Sequence, residues 1–364
     1  MTNGTVVFGA EVLRAFARRV LAASGADDDA ARLCAEVFVD ANLAGTDTHG
    51  IARLGQYADA LARGRVCGHA RPEVVADSGA VSTVDAHNAL GPVGLRFATD
   101  VAVRAAGRYG MAAVAVRGSN HAGSMSWYIE RAARAGMFAM ILTGSTKAMV
   151  APFHGAGPFL GTNAFGYGVP AGGETLTFDA ALSVASRSRL EAFQRAGASL
   201  PEGWAVGPDG LPAHDAGEVI AGIDSLAGHS LLPFGGAEGA HKGFGFSLFT
   251  ELLCGPVAGA RWGPTKPGPD PAGVGHFVQC LDLGALGVPR DEVEKRVAAL
   301  CTDLRAVPAA AEQEPVRLPG DRRRVCVEQR TRDGIPVPPN VLRELHEVAV
   351  LTEVEPLDRA RPGC

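Results

Sequence analysis

No two cysteines in this chain are spaced Cys-x-x-Cys. The seven that occur, at 34, 67, 254, 280, 301, 326 and 364, are odd in number and scattered, which excludes a disulfide framework and a zinc ribbon. They read as buried apolar residues of a protein kept in a reducing compartment. A positive surplus is missing too: the net charge is −5. The one basic run, Arg322-Arg323-Arg324, reads as a solvated face. Neither nucleic-acid nor anionic-membrane binding is indicated. The apolar run Gly136–Leu142 is too short to span a bilayer. Met1-Thr2-Asn3-Gly4 has neither the basic start nor the apolar core of a signal peptide. A cytoplasmic protein is expected, with no membrane partner. No Gly-x-Gly-x-x-Gly opens a helix after an early strand, so the ordinary Rossmann fingerprint is absent. There is no Gly-x-Ser-x-Gly nucleophile elbow and no P-loop.

What remains is ordinary globular material, 47% apolar and 20% charged over 364 residues, enough for two or three packed units. The 47 glycines gather at 153–174 and 233–245, read as loops in which backbone approaches a ligand closely. Residues 9–44 carry helical periodicity, with one stripe through Val12, Phe16, Val20 and Leu21 and another through Ala31, Cys34, Val37, Phe38 and Ala41. Asp27-Asp28-Asp29 starts the second helix. Helices are predicted at Arg53–Ala62, Gly91–Tyr109, 124–135, 242–260, Val288–Arg305 and Pro338–Leu351. Strands are predicted at Val81–Asp85, Met111–Val116, Phe138–Leu142, Leu176–Asp179 and Phe277–Leu283, with a Pro/Gly loop over 263–275. The alternation argues for an α/β fold.

Two histidines stand in small-residue settings, Asp47-Thr48-His49-Gly50-Ile51-Ala52-Arg53 and Ser119-Asn120-His121-Ala122-Gly123. An imidazole exchanges a proton near neutral pH, and a guanidinium grips a carboxylate with paired hydrogen bonds. Arg53 lies on the same face as His49 if that segment is helical. Together they point to proton transfer on a small carboxylate-bearing substrate; the bland alternative is a capped helix start and a structural histidine. Asp179 at a strand end either orients an imidazole, binds a substrate hydroxyl or caps the next turn. Lys242, read as the start of a helix, either holds a phosphate or ribose hydroxyl or is a solvated lysine. No ligand spacing around His49, His121 and Asp179 singles out a metal, so none is assigned, although a metal-dependent hydrolase or lyase is the alternative from another class. A catalytically dead binding protein is a third.

Taken in order, these segments resemble the type 2 malate/L-lactate dehydrogenases, a family that also holds ureidoglycolate, sulfolactate and diketogulonate enzymes and cyclic-ketimine reductases. The resemblance runs from about residue 8 to 352. It rests on Asp47-Thr48-His49-Gly50 with Arg53-Leu54 and Tyr57, Ser119-Asn120-His121, Gly161-Thr162-Asn163 and Phe178-Asp179-Ala180-Ala181. Pro201-Glu202-Gly203-Trp204, Leu232-Pro233, His241-Lys242-Gly243-Phe244-Gly245, Gly275-His276-Phe277 and Leu318-Pro319-Gly320-Asp321 complete it. It implies an α/β, non-Rossmann NAD(P)-binding sheet domain with a helical N-terminal region, in agreement with the missing fingerprint. It implies His121 as proton donor and acceptor, Arg53 on the substrate carboxylate with His49 beside it, and a catalytic place for Asp179. Ser145 or Thr146, Asp179-Ala180-Ala181, Lys242 and Pro319-Gly320-Asp321 fall where the family contacts NAD(P)H, NADH or NADPH being left open. Arg187 and Arg189 are candidates for a 2′-phosphate.

The resemblance further implies a homodimer whose active site draws on both subunits. The expected division is 1–75 (helical, with His49 and Arg53), 76–125 with 286–364 (substrate and dimerisation) and 126–285 (NAD(P)-binding). The expected reaction is hydride transfer at C2 of a 2-keto/2-hydroxy acid, with a cyclic 2-imino acid as the alternative. Departures from the family are Ala164 in place of proline, Ala122 in place of an aromatic residue, and a longer 224–241 segment. Ala122 is read as opening the pocket to a substrate bulkier than lactate.

Overall fold

A computed structural model describes residues 5–263 and 273–358. The N-terminal unit begins with β1 (Val6–Phe8), α1 (Ala10–Ala23), α2 (Asp28–Leu43) and α3 (Leu54–Ala62). Asp27 caps α2, accepting a hydrogen bond from the amide of Ala30. In α1 the buried stripe is Leu13, Phe16, Ala17, Val20 and Leu21, and the predicted Val12 is exposed. One residue along, a 100° turn carries the side chain off the buried face.

The sheet region follows as β2 (Glu73–Asp77), β3 (Val81–Asp85), α4 (Gly91–Tyr109), β4 (Met111–Ser119), α5 (Ser126–Arg134), β5 (Met137–Thr143), β6 (Ala164–Ala171) and β7 (Glu174–Ala180). Then come α6 (Arg187–Ala196), β8 (Ala205–Val206), α7 (Ala216–Asp224), β9 (Ser230–Leu231), α8 (Gly236–Cys254) and β10 (Val274–Asp282). The chain closes with α9 (Arg290–Arg305), α10 (Asp321–Asp333), β11 (Ile335–Val337) and α11 (Pro339–Leu351). The predicted loop over 263–275 lies largely at 264–272, outside the described residues.

Among the described residues seven strands form one sheet in the order β2-β3-β4-β10-β5-β6-β7, and of its neighbouring pairs only β3 and β4 run parallel. A Rossmann sheet is built from parallel crossovers, so the antiparallel pairing is the structural counterpart of the missing fingerprint. One face carries α4 and α5 over Val84, Val114, Val116, Ala139, Ile141 and Val278. A separate core gathers α1–α3 with Ile335, Val337, Leu342 and Leu345, and β11 pairs with β1, so the chain's end returns to its beginning. A third core, around Leu190, Leu200, Val219 and Leu231, holds the segment between β7 and α8. The sheet runs unbroken across residue 125, and residues 335–349 pack with the N-terminal helices. The three expected regions are therefore not separated by breaks in the sheet.

Two glycine-rich stretches predicted as loops contain regular structure. β6 lies inside 153–174, where a side chain at Gly166 or Gly168 would collide with Ile129 of α5. These glycines let a helix lie directly on the strand. In 233–245, α8 already begins at Gly236, and Gly243 packs on the backbone of Phe234. Arg323 is likewise no solvated residue. Its side chain is 13% exposed and joins Asp40 of α2 to Glu130 of α5.

Candidate active site

The first histidine segment is not one helix. Asp47–His49 and Ile51–Arg53 form two short 3₁₀ turns, broken at Gly50. The cause is Asn42, buried at the end of α2. Its Oδ1 accepts from the Ile51 amide at 2.7 Å, and its Nδ2 donates to Asp47 at 2.7 Å. A side chain at Gly50 would collide with this amide. From α10, Arg330 donates to both oxygens of Asp47, at 2.6 and 3.0 Å, and to the carbonyl of Asn42. Asp47 and Gly50 are thus structural parts of the motif. Arg53 reaches back by chain reversal rather than by helical spacing: its Nε donates to the Thr48 carbonyl at 2.7 Å, and Nη1 donates to Gln56 at 3.2 Å. The Thr48 hydroxyl lies 3.1 Å from His49 Nδ1.

The second segment leaves the end of β4. Asn120 is tied by its Nδ2 to Asn88 Oδ1 and the Ala89 carbonyl, and Gly91 abuts the backbone of His121. The rings of His49 and His121 stack, centroids 5.7 Å apart and 19° from parallel. From α3, the Tyr57 hydroxyl donates to the His121 carbonyl and lies 2.9 Å from His121 Nδ1. With its proton committed to the carbonyl, the phenol oxygen is the acceptor for an Nδ1–H, which leaves Nε2 as the basic nitrogen. The Gly123 amide also donates toward Nδ1, at 3.4 Å the longer and weaker of that nitrogen's two contacts.

Burial pushes the His121 pKa well below its usual range, and the neighbouring His49, Arg53 and His276 push it further. His49 is also lowered by burial, against the pull of Asp179. His276, buried on β10, is lowered by desolvation to about 4. Its two ring nitrogens meet Thr143 at 2.8 Å and Ser119 at 2.9 Å, fixing the strand ends beneath His121.

Asp179 comes to the same place with a different attachment. Strand alternation puts it on the α5 face of β7, opposite Gly166. There its Oδ2 accepts from the amides of Met125 and Ser126 and the hydroxyls of Ser124 and Ser126. It therefore caps the start of α5 from a distant strand. No hydrogen bond joins it to either imidazole among the described residues; its charge alone reaches His49.

Ser145 lies against Gly161, its hydroxyl 3.1 Å from that of Thr162 and 3.3 Å from the amide of Asn163. Asn163 Nδ2 in turn donates to the buried Glu251 of α8 at 2.6 Å. Thr146, Ala180 and Ala181 are half-buried beside these groups, at or beyond the ends of β5 and β7. Lys242 is exposed in the second turn of α8, not at a helix start, which overturns its reading as a helix-terminal cation. Pro319-Gly320-Asp321 lies further along β7, with Gly320 against Thr175 and Thr177. The carboxylate of Asp321 is taken by Arg305 and the Leu318 amide. Arg187 is held by Asp224 and Glu191, and Arg189 lies over the Phe193 ring, so neither cation is uncommitted. Ala122 is buried, a member of the core cluster that also holds Val37 and Met125.

Neutral hydroxyls at Ser145, Thr146 and Thr162, strand-end backbone groups and an exposed lysine form a donor set that fits a carboxamide, ribose hydroxyls and a diphosphate. Among the described residues no three His, Cys, Asp or Glu side chains converge as a metal site. Asn42, Tyr57, Arg330 and His276 had no role assigned from sequence. Tyr57 and His276 lie within the family-like motifs, whereas Asn42 and Arg330 give no local signal.

The malate/L-lactate dehydrogenase family matches residues 8–346. A Δ1-pyrroline-2-carboxylate reductase of Ancylobacter novellus is 33% identical, covering 90% of this chain and 93% of that protein. A (2R)-3-sulfolactate dehydrogenase (NADP+) of Chromohalobacter salexigens is 32% identical, covering 88% and 91%. The crystal structure of malate dehydrogenase from Entamoeba histolytica superposes with a TM-score of 0.90 at 26% identity, covering 96% of this chain and 99% of that one.

Proposed function

Because the chain belongs to the malate/L-lactate dehydrogenase family, we infer that it is an NAD(P)-dependent dehydrogenase or reductase acting at C2 of a 2-keto/2-hydroxy acid. The observation that carries the residue roles is the stacked His49–His121 pair with Arg53 folded back beside it. When bound, nicotinamide supplies or accepts the hydride. Arg53 holds the substrate carboxylate through its outer nitrogens and so selects the face of C2 that reacts. His121 Nε2 takes the proton of the C2 hydroxyl during oxidation and returns it during reduction. Tyr57 keeps that nitrogen free by occupying Nδ1. Asp179 holds the loop after His121 by capping α5, and its charge favours protonation of His49. Ser145, Thr146, Ala180, Ala181 and Lys242 hold the cofactor, with Pro319 and Gly320 contributing backbone rather than the Asp321 carboxylate. In this reading the N-terminal unit grips the substrate and residues 126–285 carry the cofactor.

A 2-imino acid is the second reading. It is favoured by the relative named as a pyrroline-2-carboxylate reductase, and the same arginine and histidine serve C=N reduction. Fluorescence titration with NADH and NADPH, followed by turnover against 2-keto acids and cyclic 2-imino acids, tests both readings. Saturable binding of one nucleotide and reduction of a member of either class are expected. Binding of neither by folded protein would overturn the assignment.

The homodimer belongs to the same reading. α8 leaves Phe246, Phe249 and Leu252 exposed, and Val257 and Trp262 beyond it are exposed too. A second copy of the chain covers this face. Light scattering is expected to give twice the chain mass for the wild type and one chain mass for Phe249→Glu; a monomeric wild type would remove the dimer. No helix among the described residues is long and apolar enough to cross a membrane. Buried free thiols at Cys34, Cys280 and Cys301 suit a reducing cytoplasm.

A further inference from the structure

We propose that Arg330 is a positioning residue for substrate binding: by holding Asp47 and the end of α2 together, it sets where Arg53 meets the carboxylate. This rests on the functional reading above. Local bonds within the 46–53 segment are few, His49 to Thr46, Gly50 to Asp47 and Arg53 to Gly50 along the backbone. Such 3₁₀ turns have weak geometry and hold their place through outside contacts. Beyond the Thr46 amide's bond to the Ala41 carbonyl and the burial of Ile51, two outside side chains hold the segment by hydrogen bonds. Asn42 takes the Ile51 amide and touches Asp47. Arg330 takes both oxygens of Asp47 and the Asn42 carbonyl, which also accepts from the Gly45 amide at the end of α2. A guanidinium fork matched to a carboxylate fixes direction as well as distance.

The element presenting this fork is itself anchored. Gly320, at the start of α10, lies against β7, and Arg323 one turn on binds Asp40 and Glu130. The guanidinium of Arg330, 18% exposed, is therefore delivered from a braced helix rather than a loop. Arg330 itself belongs to neither histidine segment and touches neither imidazole among the described residues. Releasing Asp47 leaves it only the single bond from Asn42, and Arg53, six residues on, loses its fixed origin. Displacement of a carboxylate clamp by about 1 Å is enough to cost a large factor in productive binding.

The test uses the full chain and whichever keto or imino acid the wild type reduces. Arg330→Gln is expected to raise KM about tenfold with a much smaller change in kcat and an unchanged Kd for NAD(P)H, as loss of substrate positioning requires. Arg330→Lys is expected to fall between it and the wild type. Asp47→Asn is expected to raise KM alike, and the double variant to be no worse than either single one. An unchanged KM in folded Arg330→Gln overturns the proposal, and so does a parallel loss of substrate affinity, cofactor affinity and thermal stability. Amide exchange reads the same claim without turnover. Faster exchange over residues 47–53, with β5–β7 unchanged, supports it; no change, or acceleration everywhere, overturns it. A wild type inactive against the whole panel sinks the functional reading and leaves exchange to decide this one.

Discussion

His121→Ala lowers kcat by about 10²–10⁴-fold, the usual worth of a positioned acid–base group, while the Kd for NAD(P)H stays within about twofold of the wild-type value. The argument is geometric first. Nε2 is the ring nitrogen left basic when Tyr57 occupies Nδ1, and no other imidazole has that arrangement at the site. His276 has hydrogen-bond partners at both nitrogens. His49 stacks on His121 but is held through Thr48. The pH dependence carries an independent check. Burial lowers the His121 pKa, so the free enzyme holds the neutral base well into acid. Oxidation of a 2-hydroxy acid needs that base and loses rate only as pH falls through the lowered folded value. An unperturbed imidazole would cost about tenfold in kcat/KM between pH 7.5 and 5.5; here a smaller loss over that range is expected, because burial lowers the pKa. Reduction needs the imidazolium and declines as pH rises. A kcat/KM profile for oxidation that breaks near the ordinary histidine pKa would contradict this account, as would a His121→Ala enzyme with near-normal kcat.

Arg53→Ala raises KM for the carboxylate substrate and lowers kcat/KM by about 10- to 150-fold, since a charge-assisted contact in a partly buried site is worth about 1.5–3 kcal/mol. Loss of kcat is smaller and comes from misorientation of C2. Arg53→Lys recovers part of the affinity through its charge and little of the orientation, because an ammonium lacks the paired fork. Steady-state kinetics with the preferred substrate separates these terms. Unchanged KM and kcat in Arg53→Ala would remove the clamp assignment. The difference between the two variants matters as well: parity of lysine with arginine would mean that charge alone, not the fork, holds the substrate.

Much of this molecule was legible along the chain. The helix over Gly91–Tyr109 and the strand over Val81–Asp85 were read with the ends that the fold has. Each is bounded by its own glycine or turn and carries its periodicity within one window. The absent dinucleotide fingerprint agrees with a sheet that is not a Rossmann one. The two histidines and Arg53 announced proton and carboxylate chemistry through residue type, before any geometry.

Tertiary structure decided what depends on partners far along the chain. The glycines of β6 look like loop residues until Ile129 lies on them. Asp179 has a carboxylate's full range of uses in sequence; strand alternation turns it onto α5 and makes it a cap. Arg323 looks solvated and Arg330 carries no local signal, and yet one is nearly buried between two acids and the other grips Asp47 across 283 residues. Periodicity and residue type record a local preference for conformation and chemistry. Which donor meets which acceptor is set by folding of the whole chain, and that pairing brings His49, Arg53, Tyr57 and His121 into one site.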